Sequence, residues 1–338
     1  MYAWRYLMSG QTRREFLANT VSGAAAVSAG LEMADSSSLA KNKDIPRRLL
    51  GKTGEKVSAI CLGGYHIGTQ KDPSESIRII DAAIDRGIDF LDNSDDYHGG
   101  ESEIRMGKAI QGKRDKVFLM TKPHPRDKKG ALKSLEESLR RLQTDHVDLW
   151  QFHEVVYETD PDWIFSPNGA VEAAYIAKKQ GKVRYVGFTG HYRPEYHLKM
   201  LSKPYDWDTV QMPLNVFDFH YRSFQMQVLP ILLERKIGVI GMKALASGYV
   251  AKSKVVTPIE ALHYALNLPT STVVTGCDTM EILNQAIQAA TTFQPMTQSQ
   301  VASILERVRP VALSGENEPF KSTTAYNNPQ VAPPPYES

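Results

Sequence analysis

Eight short apolar runs recur along this chain at a spacing of about thirty residues, each followed by a segment of helical periodicity, and this alternation limits the fold more than any other feature. The first run ends RRLLGKTGEKVSAICLGG, which reads as a hairpin turning at Thr53-Gly54 and then a strand closing at Gly63-Gly64. The others span 88–91, 116–121, 147–152, 183–188, 209–212, 238–242 and 271–275. Strands that alternate with helices at this spacing predict a closed parallel (β/α)8 barrel, a TIM barrel, rather than an open doubly wound sheet.

The helical segments carry their own start and stop signals. Asp72-Pro73 opens one with Ile77, Ile80 and Ile84 on a face and Gly87 as its stop. ESEIRMGKAI follows the second strand, and Leu132, Leu135, Leu139 and Leu142 mark another helix. Helices are also expected over 171–180, 195–201, 224–236 with a kink at Pro230, and 279–290. Thr257-Pro258-Ile259-Glu260 is a capping box. A further amphipathic helix over 298–308 completes a domain running from 47 to 309. Beyond it, 314–338 is rich in Pro, Asn and Thr and reads as a polar tail without core residues, draped over the barrel or mobile.

The first forty residues stand apart. Thr12-Arg13-Arg14-Glu15-Phe16-Leu17 precedes a small-residue apolar run, and the segment resembles a twin-arginine export signal, with Ser38-Leu39-Ala40 as one cleavage site. The run is too short and polar for a membrane span of about 20 apolar residues. The implied location is the periplasm when the leader is used and the cytoplasm otherwise, with the twin-arginine export machinery as a partner. A net charge of +2 and the lack of a basic run interleaved with aromatics argue against a nucleic-acid partner. Two cysteines, Cys61 and Cys277, are too few for an iron–sulfur cluster or zinc ribbon, and each reads as a small buried apolar residue rather than half of a disulfide.

In such barrels the reacting groups sit at the carboxyl ends of strands. Asp92, Lys122 and His153 each close a strand, and Tyr97 lies on the loop after the first of them. A phenol, with an ordinary pKa of about 10, is a poor acid until a cation lowers it. Lys122 is the cation expected to do so.

From Arg47 to about Arg309 the sequence resembles the aldo-keto reductase family. The motifs that carry the resemblance are the hairpin, LDNSDDYHGGESE, the Lys of LMTKP, the His of VDLWQFHEV, GKVRYVGFTGH, QMPLN and VVTGCDTMEILNQ. The resemblance implies hydride transfer between a nicotinamide cofactor, NAD or NADP, and a small-molecule carbonyl or alcohol. Tyr97 would be the general acid, Lys122 paired with Asp92 would lower the phenol's pKa, and His153 would orient the carbonyl oxygen.

The same resemblance implies a cofactor site. Gly63 and Gly64 would let the backbone approach the ribose, and Asp92, Thr189, Gly190 and Gln211 would surround the nicotinamide. Met242 stands where many relatives stack an aromatic ring, and Gly190 where many have Asn. Leu245, Ser247 and Gly248 would line the pyrophosphate, Gly276, Cys277 and Asp278 the adenosine end, and Lys243, one strand earlier, is the cation within reach of a 2′-phosphate. Asp278, where a 2′-phosphate would call for a cation, points to NAD or to weak discrimination.

Two other readings are open to the residues. Asp92, Asp95, Asp96, His98 and Glu101 are dense enough in oxygen and nitrogen to hold a divalent ion, although no matching cluster is evident at other strand ends. A cofactor-binding sensor without chemistry is the third, against which the four assembled titratable residues argue.

Overall fold

In the computed structural model, which describes residues 44–328, each of the eight apolar runs is a parallel strand. They are β3 (Ile60–Gly63), β4 (Phe90–Asp92), β5 (Phe118–Thr121), β6 (Val147–Phe152), β7 (Val183–Thr189), β8 (Thr209–Pro213), β9 (Gly238–Met242) and β10 (Thr272–Gly276). An antiparallel hairpin, β1 (Arg47–Leu49) and β2 (Lys56–Ser58), precedes them. The barrel closes through β10 and β3, with Val273 opposite Ile60 and Gly276 opposite Gly63. Closure leaves no unpaired edge. β4 starts at Phe90 rather than Ile88 because the preceding backbone is satisfied elsewhere. Asp89 N donates to Ser58 Oγ at 3.1 Å, and the Asp89 carboxylate accepts from Ser58 N at 2.7 Å.

Alternation along the strands places the site. Phe90, Phe118, Met120, Leu149 and Ile240 form one apolar cluster with Cys61 and with Leu50 and Val57 of the hairpin region. Two residues further along these strands, on the same pleat face, come Asp92, Lys122 and Gln151. The barrel interior is therefore apolar toward the hairpin and polar toward the carboxyl ends of the strands. A second, larger cluster fills the space between strands and helices.

The helices follow the expected signals with two adjustments. Helix Pro73–Asp85, capped by the Asp72 carboxylate, buries Ile79, Ile80 and Ala83, while Ile77 and Ile84 lie at the margin. Pro230 divides its segment into Phe224–Gln227 and Leu229–Glu234, since it offers no N–H to continue the ladder. The capping box at Thr257 and Glu260 forms with both of its hydrogen bonds.

The tail departs from expectation. Residues 314–328 carry a short helix, Pro319–Ser322, whose Phe320 and Lys321 are fully buried, as is Glu318 just ahead of it. The segment is part of the core because one phenylalanine and one ion-paired lysine anchor it, a pattern with no periodicity to betray it. The leader over residues 1–40 and the VAPPPYES end lie outside the described residues. Both cysteines are buried free thiols. No helix among the described residues is long and apolar enough to cross a membrane.

Candidate active site

The four strand-end residues meet in one place. Lys122 is buried, and its ammonium bonds the Asp92 carboxylate, donates to the Asn93 carbonyl at 2.6 Å and reaches the Tyr97 hydroxyl at 3.2 Å. Tyr97 is carried on a turn where His98 and Gly99 adopt left-handed backbone. Its ring lies edge-on to His153 at 5.6 Å. Burial pushes the Asp92 carboxyl up, while the Lys122 ammonium and a Gln211 hydrogen bond pull it back.

Electrostatics here differs from the expectation on one point. The Tyr97 phenol is held well above its ordinary value, first by burial and then by the carboxylates of Asp92, Asp96 and Glu154. Lys122 does not win, because Asp92 already neutralises it and three carboxylates surround the ring. The phenol therefore stays protonated at neutral pH, the state a proton donor needs. Burial, with His124, Lys122, Arg126 and His191 nearby, holds the His153 imidazole well below its usual value and so uncharged. Its Nδ1 shares a 2.8 Å hydrogen bond with Ser94 Oγ.

An outer ring of residues surrounds this centre, and the sequence reading did not single it out as such. His124 lies two positions beyond Lys122 on the loop after β5, and its Nδ1 bonds Asp95 at 2.7 Å. Glu154, directly after His153, has φ +49°, and its Oε1 meets His191 Nε2 at 3.4 Å. A buried pair, Arg126 and Asp160, fixes the two loops, with Arg126 also donating to the carbonyls of His124 and Glu154. Asn328 of the tail donates from its backbone to Glu154 at 3.0 Å and from its side chain to Asp96 at 3.1 Å. The oxygen-rich set weighed for a metal does not assemble. Asp92 is taken by Lys122, Asp95 by His124 and His98 by the Tyr65 carbonyl, and Glu101 faces Arg105. A different trio, Asp96, His124 and His153, brings three ligand atoms within 4.8 Å of one another.

The aldo/keto reductase family model matches residues 59–258, more than half of the sequence. The chain belongs to the aldo/keto reductase family. An uncharacterized oxidoreductase of Bacillus subtilis is 32% identical over 223 residues, covering 59% of this chain and 66% of that protein. The chain thus spans about two thirds of that relative's length. The L-galactose dehydrogenase of Arabidopsis thaliana is 29% identical over 312 residues, covering 78% of this chain and 96% of the relative. Among solved structures, an aldo-keto reductase of Bacillus halodurans in its holo form superposes with a TM-score of 0.66 at 23% identity, covering 81% of this chain and 99% of that one. At that identity the likeness speaks for the fold.

Within this aldo/keto reductase the positions expected to hold a cofactor divide into two groups. Gln211 is buried, bonds Asp92 through its side chain, and leaves Oε1 without a partner, an acceptor a carboxamide N–H would satisfy. Thr189 lies on the adjacent strand, with its hydroxyl 3.9 Å from the Met242 sulfur. Leu245 is half-buried and Ser247 and Gly248 are exposed on the loop after β9, the latter two with positive φ. Lys243 instead turns to the tail, its ammonium 4.9 Å from the Phe320 ring and 5.7 Å from Tyr326, and burial pulls it down to about 8.

The glycines have neighbours of their own. A Cβ on Gly64 would stand 2.2 Å from the Asp92 carbonyl, and one on Gly276 would stand 2.0 Å from His66 Nδ1. Gly63 is tight as well, 3.1 Å from Val274. At Gly190 a Cβ would fall 2.4 Å from the Val155 carbonyl, which explains why no asparagine stands there. Gly190→Ala is accordingly expected to destabilise the fold by about 1–3 kcal/mol through overpacking, read as a lower urea midpoint at unchanged slope. Cys277 is buried, with its thiol raised to about 12 by burial, and so is structural; Asp278 is exposed.

Proposed function

We propose that this aldo/keto reductase catalyses hydride transfer between a nicotinamide cofactor and a carbonyl or alcohol carbon of a small molecule. The observation that carries the reading is the Tyr97 hydroxyl, 3.2 Å from a buried lysine that is itself paired with a buried aspartate. The orphaned Gln211 Oε1, beside Thr189, fits the carboxamide of such a cofactor. When bound, the nicotinamide supplies the hydride.

The chain's own residues then manage the proton and the charge. As a carbonyl oxygen becomes alkoxide, Tyr97 gives it the phenolic proton. The Lys122 ammonium, held in place by Asp92 and the Asn93 carbonyl, stabilises the phenolate left behind. His153, uncharged and tethered through Ser94, orients the oxygen without competing for the proton. In the reverse direction the same groups accept the proton from an alcohol. The exposed Asp278 disfavours a 2′-phosphate, so NADH is expected to serve at least as well as NADPH.

The test is direct. Purified protein is mixed with NADH or NADPH and a panel of aldehydes, ketones and sugars while nicotinamide absorbance is followed. Carbonyl-dependent oxidation supports the proposal; its absence with both cofactors across the panel overturns it.

A further inference from the structure

We infer that Asp96, His124 and His153 form a binding site for one divalent transition-metal ion of the zinc class, beside the reacting groups. The site stands on its own geometry; its effect on turnover rests on the hydride-transfer reading above.

His124 carries the argument. Its side chain is nine-tenths buried, and its Nδ1 bonds Asp95 Oδ1 at 2.7 Å. Asp95 is itself fixed by the Ser134 hydroxyl, which donates to its other oxygen at 2.5 Å. An ionised carboxylate only accepts, so the imidazole proton sits on Nδ1 and leaves a lone pair on Nε2. That Nε2 is buried and has no hydrogen-bond partner among the described residues. It faces two more acceptors instead, Asp96 Oδ2 at 3.4 Å and Glu154 Oε2 at 4.0 Å. A lone pair turned toward carboxylates is repulsive unless a cation lies between them. A carboxylate behind the ring and an open nitrogen in front of it is also how histidines are prepared to ligate metals, the rear bond setting tautomer and ring direction.

Distance decides between a proton and a metal ion as that cation. An N–H donated to a carboxylate brings nitrogen and oxygen to about 2.7–2.9 Å. Two ligands held about 2.0–2.1 Å from a tetrahedral ion stand about 3.4 Å apart. The 3.4 Å between His124 Nε2 and Asp96 Oδ2 matches the ion.

The other ligands are placed to join. One nitrogen from each of His124 and His153 and one oxygen of Asp96 lie within 4.8 Å of one another, and the two rings meet edge-on with centroids 4.3 Å apart. Asp96 already accepts from Ser94 Oγ at 3.0 Å and from Asn328 Nδ2 at 3.1 Å, one bond on each oxygen. Each oxygen keeps a second lone pair, and ligating carboxylates are ordinarily hydrogen-bonded in this way. Charge agrees, since the ion pairs recorded for Asp96 and Glu154 among the described residues are with imidazoles and none is with a lysine or arginine. Two imidazoles and a carboxylate suit zinc and its transition-metal neighbours, whereas magnesium and calcium call for oxygen ligands. His153 also orients the carbonyl oxygen, so an ion ligated there competes with the substrate for that side chain.

The test is calorimetric titration of the purified full chain with zinc chloride and, separately, with magnesium chloride. One zinc per chain is expected, with no magnesium binding over the same range. Asp95→Asn, which alters the bond behind His124, is expected to weaken zinc binding about 10- to 100-fold, and His124→Gln and Asp96→Asn by at least as much. His146→Gln, at the opposite end of β6, should leave the affinity unchanged. Zinc should also raise the apparent KM for the carbonyl, reversibly on adding EDTA. Absence of zinc binding, full affinity in both His124→Gln and Asp96→Asn, or an equal loss in His146→Gln overturns the site. Zinc bound at one per chain with KM unchanged overturns the competition with substrate. Zinc binding that is lost in the variants, from a wild type that oxidises neither cofactor with any carbonyl, supports the site and overturns the hydride-transfer reading instead.

Discussion

Tyr97→Phe is expected to lower kcat for carbonyl reduction by about 10²- to 10⁴-fold, the range lost when a positioned proton donor is removed, while cofactor binding persists. The substitution deletes one oxygen and keeps the ring that packs edge-on to His153 and Tyr65. Cofactor contacts proposed for Gln211 and Thr189 are untouched. The pH profile sharpens the test. Because burial and three carboxylates hold the phenol well above its ordinary value, it is protonated throughout the neutral range. Reduction uses that proton, so wild-type reduction should fall only at alkaline pH; oxidation of an alcohol needs the phenolate and should rise there. Both trends should vanish from the residual rate of the variant. Stopped-flow turnover with fluorescence titration of the cofactor separates the two effects, and a variant retaining wild-type turnover removes Tyr97 from the chemistry.

The barrel was legible because strands buried on both faces read as apolar runs, and the helices between them begin with visible caps such as Asp72-Pro73 and Thr257-Pro258. The tetrad was legible for the same reason. Asp92, Lys122 and His153 sit where strands stop, and alternation turns them inward above Phe90, Met120 and Leu149. What escaped depends on direction rather than order. Glu154 reaches the site only because its backbone is left-handed, and Asn328 only because Phe320 and Lys321 pin the tail across the mouth. The Tyr97 phenol stands above the value its neighbouring lysine alone implies for a related reason. Lys122 was visible in sequence, but the combined field of Asp92, Asp96 and Glu154 appears only once the loops are placed. Gly64 reads in sequence as close backbone approach to a ribose and Gly190 as a missing asparagine, whereas only the structure shows that carbonyls of Asp92 and Val155 already fill the space a side chain would need.

The tail anchor supplies the largest expected effect on stability. Lys321 is fully buried, with its ammonium 2.5 Å from Asp218 and 2.9 Å from Glu318, both equally hidden. Lys321→Met keeps the length of the side chain and removes the only cation recorded on either carboxylate among the described residues, so two buried negative charges face each other. Breaking a buried pair in this way costs about 3–5 kcal/mol. The deficit should also depend on pH. Glu318 accepts a bond from Asn215 Nδ2 at 2.8 Å, and it is the carboxyl whose protonation burial governs. Burial already raises the Glu318 carboxyl to about 7, against the pull of Lys321. A carboxyl raised on folding contributes stability in full below its unfolded value and loses it as pH rises through the folded one. Without the ammonium the folded value rises further. Glu318 can then escape the repulsion by protonation at pH 5.5, where that proton costs little, but only at growing cost by pH 8. Urea unfolding of wild type and Lys321→Met at the two pH values should therefore show the larger gap at pH 8. An equal gap at both would mean that packing of the aliphatic stem, not charge, holds the tail against the barrel.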